Sequence, residues 1–305
     1  MSEHELSIVF MGTPDFAVPS LDILYKAGFA IKGVITAPDK PAGRGLKVQQ
    51  SPVKQYAIGK GLPVWQPKNL KDPDFQEQLR QLEADLFVVV AFRILPAAIF
   101  DMPPKGTFNL HASLLPDYRG AAPINWAIIN GEKETGVTTF FLEKKVDTGN
   151  IIFQERVAIG EQETAGQLHD KLMEVGARLV LDTTLAIEEN RVITTIQRDQ
   201  TSTKAAPKIF TKDCEVTFAQ SLDDTYNFIR GLSPYPGAWT MWEEKRLKIF
   251  HTEKEITDHA FSVGRILSDY ETYIKLVLPE GFLVVTDCQL EGKRRMSTEE
   301  LLRGL

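Results

Sequence analysis

The stretch "FNLHASLLPDYRGAAPINW", residues 108–126, combines a short apolar segment with polar side chains at the point where that segment ends. Phe108 and Leu110 favour a buried strand, which would normally avoid Asn109 and His111. Residues two apart in a strand point to the same face, so Asn109 and His111 are predicted to project together. Ligands of open α/β sheets bind where strands end. The stretch therefore predicts a strand that leads into a functional site.

Further short apolar runs occur in the first part of the chain, and helical patterns lie between them. The runs are residues 8–11, 87–90 and 137–142. Uniformly apolar short strands are typical of a parallel sheet that is covered on both faces. The clearest helix begins near Thr164, where Thr164 and Gln167 form a capping box. Residues 1–190 are therefore predicted to form a Rossmann-like, doubly wound, mostly parallel α/β domain, which would be the catalytic domain.

The second part of the chain has a different pattern. Residues 191–212 are polar and contain Pro207, which is typical of a linker. The short strand-like segments that follow are residues 214–218, 238–242, 247–251, 272–278 and 282–288, with a helical pattern at 222–232. Short strands at such spacing indicate a small OB-like β-barrel over residues 213–305.

Composition excludes several classes of protein. The 305 residues carry a net charge of −6, so a nucleic-acid partner would have to be met by local basic patches. Two cysteines without a CxxC pair fit a reducing cytoplasm. No secretory signal or membrane-spanning run is found, so no membrane association is expected. P-loop, dinucleotide and zinc signatures are also missing, and no metal is predicted.

Asn109, His111 and Asp147 suggest acyl-transfer chemistry. An amide and an imidazole side by side suit a carbonyl that develops negative charge, and Asp147 could orient His111 and accept a proton. Asp147-Thr148-Gly149 also spells the aspartic-protease triplet, but that chemistry needs a second carboxylate, and no second triplet exists. A structural histidine and an ordinary turn explain the same residues, and spacing alone leaves both interpretations open.

The motifs Asn109-Leu-His111, Ser113-Leu-Leu-Pro116 and Tyr118-Arg-Gly120 together resemble the signature of the folate-dependent formyltransferases. The resemblance implies that Asn109, His111 and Asp147 are catalytic and that 10-formyltetrahydrofolate is the co-substrate, without a metal. It also implies that four residues line the folate pocket. These are Ser113, Leu114, Leu115 and Pro116.

Three further stretches resemble the branch of this family that formylates initiator methionyl-tRNA. They are MGTPDF at 11–16, PDKPAGRG at 38–45 and RGLSPYPGAW at 230–239. The resemblance implies that the loop at 37–52 reaches the tRNA acceptor stem. Arg44, Lys47 and Lys208 are the candidate tRNA contacts, and Arg198 and Lys204 are further linker candidates. No obligate protein partner is implied, and a monomer is expected.

Two alternative functions remain at this point. Formyltransferases that act on amino-sugar nucleotides share the first set of motifs and a second small domain, but they lack the PAGRG loop. A tRNA-binding module without turnover is the other possibility. From Lys208 onward acidic residues outnumber basic ones, so such a module would have to bind through one face of the barrel.

The chain departs from the family pattern at two places. Residues 91–96 read AFRILP, one residue shorter than the usual segment, which borders the folate pocket in the family, so Arg93 is expected to alter how the pterin is held. Asp117 stands where a basic residue is common. Neither departure affects the three residues to which the resemblance assigns catalysis.

Overall fold

The computed structural model describes residues 4–42, 47–198 and 203–305. Two compact units divide the chain, and each is assembled from three separate stretches. Unit 1 takes residues 1–119, 136–157 and 170–205, and unit 2 takes 120–135, 158–169 and 206–305. These stretches differ from the predicted domain ranges 1–190, 191–212 and 213–305, which stay a prediction. In the described residues, no helix is both long and apolar enough to span a membrane.

A seven-stranded, mostly parallel sheet with interspersed helices forms the first part of the structure. Its strands and the short strands near them are β1 (Ser7–Gly12), β2 (Ala30–Ile35), β3 (Lys40–Ala42), β4 (Lys47–Gln49), β5 (Val64–Trp65), β6 (Leu86–Val90), β7 (Thr107–His111), β8 (Arg119–Gly120), β9 (Glu134–Phe141) and β10 (Ile151–Ala158). The helices are α1 (Val18–Lys26), α2 (Pro52–Gly59), α3 (Pro73–Arg80), α4 (Ala97–Phe100), α5 (Pro123–Ile129) and α6 (Ala165–Glu188).

The order of strands in this sheet is β10-β9-β7-β6-β1-β2-β5. The five strands from β5 to β7 pair in parallel, and β9 pairs with β7 in the antiparallel direction. Every residue of β1 and β6 is buried, as the apolar runs predicted. The predicted Rossmann-like, doubly wound, mostly parallel domain is therefore confirmed.

The predicted capping box is present at the start of α6. The backbone N–H of Thr164 donates to Oε1 of Gln167 at 2.9 Å, and the backbone N–H of Gln167 donates to Oγ1 of Thr164 at 3.3 Å. Each side chain thus satisfies a backbone group at the helix end that has no partner within the helix.

The C-terminal part of unit 2 is an antiparallel half-barrel. Its strands and helices, with the short strand that precedes them, are β11 (Ala205–Ala206), α7 (Leu222–Gly231), β12 (Ala238–Trp242), β13 (Lys245–Ile256), β14 (Ile266–Ser268), β15 (Ile274–Leu278), β16 (Gly281–Leu290), β17 (Met296–Ser297) and α8 (Thr298–Arg303). The strand order is β12-β13-β16-β15-β14, with β17 beside β16. Buried residues such as Leu247, Ile249 and Leu283 form its core. The predicted small OB-like domain is confirmed.

One predicted strand of unit 2 was wrong. Residues 214–218 do not form a strand, because a 3-10 turn, Thr211–Cys214, occupies the start of this segment. The carboxylate of Asp213 accepts a hydrogen bond from the backbone N–H of Phe210 at 3.0 Å, and this closes the turn. Only an isolated bridge between Glu215 and Trp239 follows it. The strand β14 and the helix α8 were not predicted.

Candidate active site

Strand β7 carries the Asn-x-His pair near the centre of the sheet. Asn109 and His111 lie on the same face of the strand. His111 is buried, with 8% of its surface exposed, and Asn109 is partly buried. We find no hydrogen bond from the Asn109 side-chain amide to any described residue, so this amide is available to a ligand.

The orientation of the His111 ring is set by a backbone carbonyl. Nε2 of His111 lies 2.9 Å from the carbonyl oxygen of Tyr118. A carbonyl oxygen only accepts hydrogen bonds, so we assign the proton to Nε2. Nδ1 then accepts in the neutral ring and donates only when the ring is an imidazolium. Tyr118 has a left-handed backbone, with φ of 59°, and this turns the chain back toward β7.

The Ser113-Leu-Leu-Pro116 segment is fixed by hydrogen bonds to β9 and β10. Oγ1 of Thr138 donates to the Ser113 carbonyl at 2.6 Å, and Nε2 of Gln154 donates to the Leu115 carbonyl at 2.9 Å. Oγ of Ser113 closes the loop by donating to the Asp117 carbonyl at 2.6 Å. The loop that begins directly after His111 is therefore held in one conformation.

Leucine side chains of this segment pack against the sheet. Leu115 is buried with Phe140 and Ile151. A Cβ on Gly136 would overlap the carbonyl oxygen of Glu155 and would lie 2.5 Å from Cδ2 of Leu114. Only glycine at position 136 therefore leaves room for Leu114 above β9.

Asp147 lies in the turn between β9 and β10. Because β9 runs antiparallel to β7, this turn leaves the sheet beside Thr107, the first residue of β7, where the Leu142 N–H donates to the Thr107 carbonyl at 2.8 Å. Asp147 is partly buried and has polar partners of its own. The structure thus places Asn109 and His111 on β7 and Asp147 in the turn that follows the neighbouring strand β9, and a direct contact between Asp147 and His111 stays a prediction.

Tight packing holds the turn that carries Asp147. Asp147 has a left-handed backbone, with φ of 55°. Oγ1 of Thr148 donates to the Lys145 carbonyl at 2.9 Å. A Cβ on Gly149 would overlap the carbonyl oxygen of Phe141, so only glycine fits there. The sequence Asp-Thr-Gly is thus explained by the shape of this turn.

Arg93, which departs from the family pattern, ties two loops together. Its Nη2 donates to the Pro67 carbonyl at 2.8 Å and its Nη1 to the Lys68 carbonyl at 3.2 Å. Its guanidinium lies 5.2 Å from the ring centroid of Phe92, and burial lowers the pKa of Arg93. In the described structure this side chain therefore binds protein carbonyls and links the loop after β6 to the loop after β5.

The candidate tRNA contacts are only partly described. Arg44 lies outside the described residues, and Lys47 is the first residue of β4. Lys208 is exposed, and its Nζ lies 5.2 Å from the ring centroid of Phe210, which is itself 51% exposed. An exposed cation beside an exposed aromatic ring is a combination that nucleic-acid surfaces use.

Two family models match the chain, one over each part. Residues 6–184 match the model described as formyl transferase, and residues 208–305 match the model described as the C-terminal domain of formyl transferase. The chain belongs to the formyltransferase family. The resemblance that the sequence motifs indicated is thereby confirmed.

Named relatives of this formyltransferase cover its whole length. It is 51% identical to the methionyl-tRNA formyltransferase of Bacteroides thetaiotaomicron, with 100% of this chain and 97% of the relative covered. It is 50% identical to the enzyme of the same name from Flavobacterium johnsoniae, with 99% and 97% covered.

A solved structure of another N-formyltransferase shares the fold. The N-formyltransferase of Helicobacter canadensis, in complex with folinic acid and dTDP-3-aminofucose, has a TM-score of 0.68 and 22% identity, and 93% of this chain and 99% of that chain are covered. At this identity, the similarity establishes the fold alone.

Several residues that shape the site of this formyltransferase were missed in the sequence. Thr138 and Gln154 hold the leucine loop, and Gln197 contacts both Arg119 and the turn that carries Asp147. Gln154 had a weak signal, because it follows the apolar start of β10. Gln197 had none, since it stands in a polar segment that is typical of a linker.

Proposed function

We propose that this formyltransferase transfers the formyl group of 10-formyltetrahydrofolate to the α-amino group of initiator methionyl-tRNA. The observation that carries the proposal is the identity of about half of all residues, over nearly the full length of both chains, to methionyl-tRNA formyltransferases. Such a reaction belongs to translation initiation, and we assign the protein to the cytoplasm on that basis.

Asn109 and His111 stabilise the formyl oxygen as it gains negative charge during attack by the amine. The Asn109 amide has no hydrogen-bond partner among the described residues. In His111, Nε2 is hydrogen-bonded to the Tyr118 carbonyl, so Nδ1 is the ring nitrogen that can face the formyl oxygen. Nδ1 donates to an oxyanion only in the imidazolium form, so a carboxylate close to the ring would favour that form. This is the role we assign to Asp147.

Asp147 also accepts the proton that the attacking amine loses, directly or through water. That proton then passes to N10 of the folate as its bond to the formyl carbon breaks, which releases tetrahydrofolate and restores the carboxylate. An α-amino group has a pKa of about 8 or slightly below, so a useful fraction is neutral near pH ~7. The nucleophile therefore needs no strong base before attack, and the carboxylate acts as the amine becomes positively charged.

The residues around β7 fit a flat, partly apolar co-substrate. Leu114 and Leu115 lie in the loop that begins after His111. Ile94 and Val146 expose 75% and 50% of their surface although both are apolar. Ile94 stands in the loop after β6 and Val146 directly precedes Asp147, and apolar side chains with a few polar groups are the usual lining of ligand pockets. We assign the folate to this region, with Ser113, Leu114, Leu115 and Pro116 as the wall.

For the acceptor, we assign tRNA contacts to Arg44, Lys47 and Lys208. The loop that contains Arg44 carries three basic residues, Lys40, Arg44 and Lys47. Arginine presents a planar, permanently charged fork that suits phosphate groups and base edges. A large acceptor needs such contacts beyond the reacting amine to fix its position.

An acceptor assay tests the proposal. The purified protein is incubated with 10-formyltetrahydrofolate and, in parallel, with methionyl-tRNA, glycinamide ribonucleotide or an amino-sugar nucleotide. We expect formylation of methionyl-tRNA with a kcat/KM at least ~10²-fold above that of the other two acceptors. Preference for the sugar nucleotide would replace the proposal by the sugar alternative. Binding of tRNA without turnover would identify a binding module.

A further inference from the structure

The polar segment that follows α6 forms part of unit 1 and is joined to β10 by an isolated antiparallel bridge. Thr195 and Ile151 form an antiparallel bridge, in which each backbone N–H donates to the carbonyl of the other at 2.8 Å. In an antiparallel pair the residues two positions further on also face each other, so Gln197 stands opposite Gly149. Gln197 is thereby brought to the turn that carries Asp147.

Both ends of the Gln197 side-chain amide form hydrogen bonds within the protein. Its Nε2 donates to the Gly149 carbonyl at 2.8 Å. Its Oε1 accepts from Nε of Arg119 at 3.1 Å and from Nη2 of Arg119 at 2.7 Å. Arginine can only donate and a carbonyl can only accept, so these partners fix which end of the amide is which.

This pair of contacts joins the two halves of the candidate site. Arg119 directly follows Tyr118, whose carbonyl orients His111. Gly149 lies two residues after Asp147, in the turn that leaves the sheet at the other end of β7. Gln197 therefore links the loop that orients His111 to the turn that carries the carboxylate.

We propose that Gln197 is a positioning residue, which holds the turn of Asp147 through the Gly149 carbonyl while Arg119 holds Gln197. It does not touch the reacting atoms. The left-handed backbone at Asp147 is one that non-glycine residues adopt at a cost, so the surrounding structure must hold it. Gln197 supplies that restraint from a segment whose composition is typical of a linker. The inference rests on the catalytic role that we propose for Asp147.

Two substitutions separate the two contacts of Gln197. Gln197→Met keeps the length of the side chain and removes both contacts. Gln197→Glu keeps an acceptor for Arg119 and removes the donor to Gly149. Gln76→Glu is the matched control, because Gln76 is also partly buried and its Nε2 donates to the Leu70 carbonyl at 3.0 Å. Asp147→Asn is measured in the same series.

We expect both Gln197 variants to lower kcat for methionyl-tRNA by ~10-fold or more, because small misplacements of a catalytic group are costly. In both variants, the KM for formyl folate and the midpoint of thermal unfolding should stay near the wild-type values. The control variant should keep the wild-type kcat. The pH profile of kcat is recorded for each variant, since the new carboxylate of Gln197→Glu also raises the pKa of a nearby acid. If Gln197→Met does not fold, Gln197→Glu alone decides.

Three results would overturn the inference. The first is wild-type kcat in both variants. The second is wild-type kcat in Gln197→Glu alone, because the Gly149 contact would then be irrelevant. The third is a loss in Gln197→Glu that disappears at higher pH while Gln197→Met is unaffected. Full activity of Asp147→Asn is a different failure, since it removes the proposed role of Asp147 and with it the reason for positioning the turn.

Discussion

Two properties of aspartate matter at position 147, namely its tolerance of the left-handed backbone of the turn and its negative charge. The φ of 55° at Asp147 is unfavourable for most side chains, but aspartate and asparagine tolerate this region because they bond to nearby backbone. Asparagine at this position therefore tolerates the same backbone conformation, and it replaces the charged carboxylate by a neutral amide of the same shape. The substitution Asp147→Asn is for this reason a clean test of the carboxylate.

We predict that Asp147→Asn and His111→Ala each lower kcat by about 10² or more, because each removes a group to which we assign a role in the transition state. Affinity for formyl folate should stay close to wild type when measured by direct binding. Asp101→Asn, an exposed aspartate outside the candidate site, is the control. Near-full activity of Asp147→Asn in a folded protein would contradict the assigned roles.

Asp85 is a second residue whose charge has a measurable consequence. Its carboxylate accepts hydrogen bonds from Oγ and the backbone N–H of Ser7, at 2.6 and 2.8 Å, and the bond from the Ser7 hydroxyl lowers the pKa of Asp85. A carboxyl whose pKa is lower in the folded state contributes stability above its unfolded pKa. That contribution is lost as the pH falls through the folded pKa.

We therefore predict that Asp85→Asn lowers the free energy of unfolding by roughly 1–2 kcal/mol at neutral pH, as expected for a lost hydrogen bond to a charged group. The difference from wild type should shrink as the pH falls below about 4, where the carboxyl of the unfolded chain is already protonated. Urea titrations of the wild type and of Asp85→Asn at a series of pH values measure this difference in the free energy of unfolding. A difference that does not depend on pH would show that the charge is irrelevant.

At the scale of elements, the loop between β3 and β4 contains Arg44, which lies outside the described residues. We predict that Arg44→Ala raises the KM for methionyl-tRNA, or lowers its kcat/KM, by ~10-fold, equivalent to about 1.4 kcal/mol. The KM for formyl folate should not change, because this loop does not supply the Ser113-Leu-Leu-Pro116 wall. Arg80→Ala, on the exposed surface of α3, is the control.

Unchanged tRNA kinetics in Arg44→Ala, or a loss confined to folate binding, would contradict the assignment of this loop to tRNA. The salt dependence of the KM adds a second criterion. A lost phosphate contact should reduce the slope of log KM against log salt by roughly one.

The elements of this fold were largely predictable where a local pattern decides them. Apolar runs located β1, β6 and β7, and the capping box located the start of α6. The antiparallel direction of β9 was not predictable, since it depends on pairing with β7 and not on its own residues. The role of Gln197 was hidden for the same reason, because its partners lie 78 and 48 residues away in the chain.

At the scale of the whole molecule, the two units interleave along the chain, so neither corresponds to a continuous fragment. Helix α5, at residues 123–129, belongs to unit 2. Asn125 donates to the Gly231 carbonyl at 2.7 Å, and Trp126 donates to the Pro207 carbonyl at 2.8 Å. Arg230 donates to the Glu163 carbonyl at 2.9 Å.

We predict that a chain ending at residue 205 loses protection from hydrogen exchange at residues 120–135 and 158–169, because their partners in unit 2 are gone. Strands β1 and β6 should stay protected, since their pairing lies within unit 1. Exchange measured by mass spectrometry on the fragment and on the full chain tests this. Equal protection at 120–135 in both would show that this stretch is stabilised without residues 206–305.

The interleaving also sets an order of events during synthesis. A ribosome releases the chain from its amino end, and domains made of continuous sequence fold as they emerge. Here the first stretch of unit 2 emerges before the last stretch of unit 1 has been made, since 120–135 precedes 170–205. Helix α5 is therefore synthesised before the residues 206–305 that pack against it. It stays incompletely packed while about half of the protein is still being translated. During that interval the surface of α5 that packs against α7 in the finished protein has no partner to cover it.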